Sequence, residues 1–194
     1  MHYNFIEIGT SDFRTLADRM SGPGISVEPI QAYLNRLPEK EDCHKLNAAI
    51  SNYNGNIDIH YLTEQKINQL GLPNWAKGCN SVNGPHKTIQ KLLGSAYQDH
   101  ITIQSVPVIT LDALFNIFNV DSVFKLQIDT EGHDAVILWQ YIEIVQSNPD
   151  ILAEILIFEN NELSDSAEMV SIQSALSKWY SMKERKGNLI CRKL

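Results

Sequence analysis

No apolar run in the sequence approaches the roughly 20 residues that span a bilayer, so no segment reads as a transmembrane helix. The chain opens MHYNFIEIG, almost inside a strand, which leaves no room for a signal peptide. Cysteine is scarce. Cys43, Cys79 and Cys191 are odd in number and far apart, which excludes a disulfide framework and a CxxC metal pair. A reducing, cytoplasmic setting is the expectation. Repeats and low-complexity tracts are absent. A hydrophobic share of 43% and a charged share of 20% rule out disorder, collagen and coiled coil for the whole. The 194 residues suit one domain, 1–194, able to bury a core without staples.

Positive charge is also short, with a net charge of −7. It is unevenly placed: residues 178–194 balance at +5 and the remainder at −12. A nucleic-acid binder of this size is normally basic overall, so nucleic acid is not an expected partner, and neither is a membrane. The basic tail reads as a solvated terminal hairpin.

What the chain does hold is an alternation of apolar, strand-like runs with helical stretches. Strands are expected at Tyr3–Ile8, Ile25–Glu28, 44–51, Asn56–Leu62 (after an Asn54-Gly55 hairpin turn), Thr102–Val108 as an edge strand, Ser122–Ile128 and Ile151–Phe158. Helices are expected at about Phe13–Met20, from Pro29 to about Leu37, at 111–118 capped by Thr110, at 133–146 and at 166–177. A hairpin around Lys186-Gly187 closes the chain. The stretch 64–99, rich in glycine and proline, reads as an irregular insertion. The pattern predicts an α/β fold with a mostly parallel sheet and a C-terminal antiparallel hairpin.

Ligands of such sheets bind at the carboxyl ends of the strands. Acids recur there. In EIGTSDF, Gly9 stands alone where a dinucleotide site needs GxGxxG, and the flanking acids suit a cation such as a sulfonium or amine rather than a pyrophosphate. Glu28 ends the second strand, where a carboxylate can accept from both vicinal hydroxyls of a ribose. IDTEGHD puts Asp129, Glu131, His133 and Asp134 at one turn, a concentration of titratable groups that suggests a site. His133 or Asp129 could take a proton from an attacking hydroxyl. Glu159, in FENNE, belongs beside Asp129 if their strands are neighbours. With Asn160, these two acids could hold Mg²⁺, the weaker alternative to a metal-free site.

Several of these segments together resemble the FkbM family of class I S-adenosylmethionine-dependent methyltransferases. FIEIGTSDF, ISVEPIQAYLNRL, HKLNAAISNYNGNIDIHYL, VPVITLDALF, VFKLQIDTEGHDAVIL and EILIFEN are similar to its motifs, in order, over about residues 4–160. Gln127 stands where the signature has lysine, Asp134 where it has glutamate, and Phe13 and Ser11 where the first loop has glycine and asparagine. The resemblance implies a Rossmann-like sheet, an S-adenosylmethionine cofactor, and O-methylation of a hydroxyl on a sugar or other small polar metabolite. The acceptor is then a small molecule or glycan, and the protein a monomer or homodimer. Glu7, Gly9, Thr10, Ser11 and Asp12 would line the methionine end and Glu28 with Pro29 the ribose. Ala49, within Ala48–Ser51, would lie near the adenine. Asp129, which also touches the cofactor, would face the methyl group and acceptor with Glu131, His133 and Glu159. Trp75, Lys77, Ser81, Asn83 and His86 of the insertion are the acceptor-side candidates. The competing reading is a cofactor-binding module of the same fold without catalysis.

Overall fold

The computed structural model describes every residue of the chain except 12, 14 and 162. In chain order the elements are β1 (His2–Ile8), α1 (Leu16–Arg19), β2 (Gly24–Val27), α2 (Gln31–Leu34), β3 (Cys43–Leu46), β4 (Ala49–Ile50) and β5 (Gly55–Tyr61). There follow α3 (Glu64–Gln69), α4 (Lys87–Leu93), β6 (Thr102–Ile109), α5 (Leu111–Ile117), β7 (Ser122–Ile128) and α6 (Asp134–Ser147). β8 (Ile155–Glu159), α7 (Ser166–Leu176), β9 (Tyr180–Arg185) and β10 (Asn188–Lys193) complete the chain. Among the described residues, no helix is long and apolar enough to cross a membrane.

Seven strands form the main sheet in the order β3-β2-β1-β7-β8-β10-β9. The first five run parallel, and β10 runs antiparallel to both of its neighbours. β1 can sit at the centre because both of its faces are apolar. Neighbouring residues of a strand point to opposite faces. Ile6 and Ile8 enter the large cluster built with α5, α6 and α7, while Phe5 packs with Leu16 and Ala17 of α1. A strand covered on both sides is what a parallel sheet requires. From β1 the chain winds outward through β2 and β3. It then returns to the other side of β1 at β7 and winds outward again through β8. The crevice between the ends of β1 and β7 is therefore the topological switch point.

The second sheet has three strands, β4-β6-β5. It corrects three readings. The run 44–51 is not one strand: β3 ends in the main sheet at Leu46, and β4 begins at Ala49 in the small one. Asn47 makes the break by donating its side-chain amide to the carbonyls of Glu28 and Pro29, at 2.9 and 2.8 Å. Asn54-Gly55 does not close a hairpin of paired strands, because β6 lies between β4 and β5. β6 is accordingly central rather than an edge.

The 64–99 segment is not irregular. It contains α3, α4 and two 3-10 helices, at Asn74–Gly78 and Gly94–Asp99. It also has a core of its own, in which Ile67, Ala76, Cys79 and Ile89 meet Leu62. Two boundaries move as well. β8 starts at Ile155, because Pro149–Ile151 forms a 3-10 turn, and α2 stops at Leu34.

Candidate functional site

A cavity of about 240 Å³ opens at the switch point. Its wall takes residues from the ends of β1, β2, β7 and β8, from 48–50, and from 75–82 of the insertion. Five carboxylic acids line it (Glu7, Glu28, Asp129, Glu131 and Glu159), and no lysine or arginine does among the described residues.

The loop after β1 leaves the sheet through Gly9, at φ +80°. A Cβ there would stand 1.9 Å from the carbonyl oxygen of Asp129, so only glycine lets the β1 and β7 ends approach this closely. Ser11 and Glu131 also have positive φ, at 49° and 52°. Non-glycine residues rarely adopt that region, and such strain gathers at functional sites. Both loops that flank the cavity carry one.

Glu28 is fully buried. It accepts from the backbone amides of Ser11 at 2.6 Å and Ile30 at 2.9 Å, and from the Thr10 hydroxyl at 3.4 Å. Burial nonetheless pushes its carboxyl up to about 7, against the pull of these bonds. Glu7 is raised to about 7 for the same reason, opposed by the amide of Leu16, which donates to it at 2.7 Å, and by the charges of Arg19 and Lys125. Gln127 donates its side-chain amide to Glu7 at 3.2 Å and reaches the cavity itself. The signature's lysine would have placed a cation at this point.

Asp129, Glu131 and Glu159 present oxygens within 4.8 Å of one another. Asp129 and Glu159 arrive together because β7 and β8 are adjacent and in register, Ile128 opposite Phe158. Burial raises the proton affinity of both carboxyls, and repulsion from neighbouring acids adds to it, led by Asp134 at Asp129 and by Asp129 at Glu159. The cluster can hold a shared proton or a divalent cation. The third acid of the set is Glu131, and Asn160, expected with it, is not among the described residues that line the cavity. Among the described residues, two acceptor atoms in the wall lack a partner, Glu159 Oε2 and Asn80 Oδ1. A buried acceptor without a donor is costly in an otherwise satisfied fold.

Asp134 does not line the cavity, although its charge bears on Asp129 and Glu159. It is fully buried and accepts from the amide of Thr130 at 2.8 Å, the hydroxyl of Thr130 at 2.5 Å and the amide of Glu159 at 2.9 Å. It ties the turn before α6 to the end of β8.

The insertion is fastened to the signature turn. His86 lies 2.9 Å from a Glu131 oxygen, and the Ser81 hydroxyl donates to the Glu131 carbonyl at 3.4 Å. Asn83 donates to the Gly132 carbonyl at 2.9 Å and sets its Oδ1 3.0 Å from His133 Nδ1. His133 Nε2 lies 3.0 Å from the Ser51 hydroxyl, and burial lowers its proton affinity.

Of the residues singled out from sequence, Glu7, Gly9, Thr10, Ser11, Glu28, Pro29, Ala49, Asp129, Glu131, His133, Glu159 and Trp75 share this one cavity. Asp12 lies outside the described residues. Lys77, Ser81 and His86 stand behind the wall instead: Lys77 holds its ammonium 4.9 Å over the Phe13 ring, and the other two support Glu131. Gln127 and Asn80 were not anticipated. Gln127 alternates in phase with Glu7 on the paired strand, which was a usable signal; nothing local marked Asn80.

A parallel sheet reversing at this crevice, closed by an antiparallel C-terminal strand, is the Rossmann-like architecture of methyltransferases. Compared with models of known families, residues 5–176 match the methyltransferase FkbM domain. That covers most of the chain, which belongs to this family of methyltransferases. Neither curated proteins nor solved structures gave a match.

Proposed function

We propose that the protein is an S-adenosylmethionine-dependent O-methyltransferase, acting on a hydroxyl of a sugar or another small polar metabolite. The observation that carries this is the convergence of five acids and two unpartnered acceptor atoms on a cavity without lysine or arginine in its described wall. Such a wall suits a ligand rich in donors and carrying positive charge. Adenosylmethionine brings both, and when bound it supplies a methyl group already activated on a sulfonium.

In this reading Glu28 accepts from the ribose hydroxyls beside Thr10, Ser11 and Pro29, and Ala48–Ile50 form the apolar wall for the base. Glu7, Gly9 and Gln127 flank the amino-acid end. Asp129, with its raised proton affinity, takes the proton from the acceptor hydroxyl. Glu131 and Glu159 orient the acceptor by accepting hydrogen bonds from its neighbouring hydroxyls. Trp75, half-exposed at the cavity mouth, offers a flat apolar face to the acceptor. Positioned proton removal of this kind contributes roughly 10²–10⁴-fold in rate.

Calorimetric titration with S-adenosylmethionine and S-adenosylhomocysteine, with and without Mg²⁺, tests the assignment. Saturable binding that needs no Mg²⁺ and falls by about tenfold or more in Glu28→Ala is expected, since two ribose hydrogen bonds are lost. Absence of binding by either ligand overturns the cofactor assignment. Binding that depends on Mg²⁺ gives the carboxylate cluster to a metal.

A further inference from the structure

His133 lines the cavity and His86 stands behind its wall, and the groups around each determine which ring nitrogen carries the proton. For His86 the answer is direct. The backbone amide of Thr88 donates to Nδ1 at 3.2 Å, so Nδ1 holds a lone pair and Nε2 carries the hydrogen donated to Glu131.

For His133 the answer depends on Asn83. One end of that side-chain amide faces the Gly132 carbonyl at 2.9 Å, and a carbonyl can only accept. The NH₂ group must take that end. Asn83 Oδ1 is then the atom 3.0 Å from His133 Nδ1, which must carry a hydrogen. His133 Nε2 is left as an acceptor and receives the hydroxyl proton of Ser51 at 3.0 Å. In the rival arrangement Nε2–H donates to Ser51, which passes its own proton to Asn52 Oδ1 at 3.5 Å. That sets the Nδ1 lone pair against Asn83 Oδ1. Turning the Asn83 amide over only moves the clash to the Gly132 carbonyl.

We propose that Asn83 is a positioning residue: it fixes His133 in the Nδ1–H tautomer and, through Ser51, joins the insertion to the 48–51 wall of the cavity. His133 then has no free lone pair and serves as a neutral strut. Proton removal falls to the carboxylates, in contrast to the sequence reading that offered His133 as a base. The chain of contacts is continuous. Asn83 belongs to the insertion and His133 to the turn after β7. Ser51 follows Ala48, Ala49 and Ile50, which line the cavity, and its backbone amide donates to the Ile109 carbonyl at 3.0 Å. Loss of the Asn83 amide releases both the imidazole and the wall behind it.

Long-range ¹H–¹⁵N correlation spectra of the histidine rings, recorded on the whole protein at pH 8, read the tautomer directly. The wild type is expected to show His133 protonated at Nδ1 and His86 at Nε2. Asn83→Leu should return His133 toward the Nε2–H form that a free imidazole side chain prefers. Asn83→Asp should keep Nδ1 protonated, because it retains the acceptor. Calorimetry with S-adenosylhomocysteine should show affinity lowered about tenfold in Asn83→Leu, the effect of releasing one supporting hydrogen bond. A wild-type His133 protonated at Nε2 overturns the proposal, as does an unchanged tautomer in Asn83→Leu. The affinity arm rests on the adenosylmethionine reading and the tautomer arm does not. A protein with the expected tautomers that binds no adenosylhomocysteine sinks the cofactor assignment alone.

Discussion

Glu7 is buried at the end of β1 and keeps its proton up to about pH 7, against an ordinary value of 4.5. Between those two values the folded state binds more protons than the unfolded chain, so this residue's contribution to stability is present at low pH and lost as pH rises through 7. Glu7→Gln removes the effect with little other cost. Its carbonyl can still accept from the Leu16 amide, and Gln127 can rotate its own amide to receive the new donor. The variant should match wild type near pH 4 and exceed it at pH 8 by about 3 kcal/mol. Urea unfolding at the two pH values measures the difference. An equal stability at both would mean that Glu7 is ionised in the fold. At this scale the sequence was informative where a residue follows a strand, because a parallel sheet brings all such positions to one edge. Glu7, Glu28, Asp129 and Glu159 were legible for that reason. Asn80 and the Asn83–His133–Ser51 chain were not, because they depend on where a distant loop lands.

Among the elements, the turn between β7 and α6 has no hydrophobic anchor of its own and relies on Asp134. Three donors converge on that carboxylate, two from Thr130 and one from the Glu159 amide. Asp134→Asn turns one acceptor into a donor facing a donor, with an expected loss of about 2 kcal/mol. Hydrogen exchange should quicken first at the amides of Thr130 and Glu159; unchanged protection there would mean that the strands and the insertion's bonds to Glu131 and Gly132 hold the turn. The same contrast between local and distant determinants explains which elements were readable. β1, β7, β8 and α6 have apolar runs long enough to declare their period. α3 and α4 have six and seven residues, too few to show one, and they sit among glycines and prolines. The division of 44–51 into β3 and β4 carries no breaker at all. It arises because Asn47 finds its partners on β2's far end, a contact invisible in a linear pattern.

At the level of the whole molecule, the family match ends at residue 176, yet the sheet does not. β10 covers β8 over five register pairs, Asn188–Glu159 to Arg192–Ile155. Tyr180, Leu189 and Cys191 are buried, and the Tyr180 hydroxyl bonds both Tyr141 and the Ala153 carbonyl. Removing residues 178–194 would strip these side chains from the core at a cost of about 5 kcal/mol, comparable with the entire stability of many domains. It would also bare the apolar β8 as an edge. The shortened chain is expected to aggregate or to unfold without a cooperative transition, whereas the full chain melts in one step. Circular dichroism and light scattering distinguish the two, and a soluble, cooperative shortened chain would make the hairpin an accessory. The hairpin's positive charge, set against an acidic remainder, guards the exposed edge that β9 leaves.

The pairing of β4 with β6 joins residues 49–50 to 108–109, and the pairing of β1 with β7 joins 8 to 128. Closing such long loops is entropically expensive, so these contacts form only after more local structure has made the closure worthwhile. Neither the first third of the chain nor the middle third can build a binding pocket alone. The cavity is therefore complete only when these distant pairings are all in place. A ligand held there binds only the finished molecule and adds its binding energy to the native state, so occupancy reports on the integrity of the entire fold.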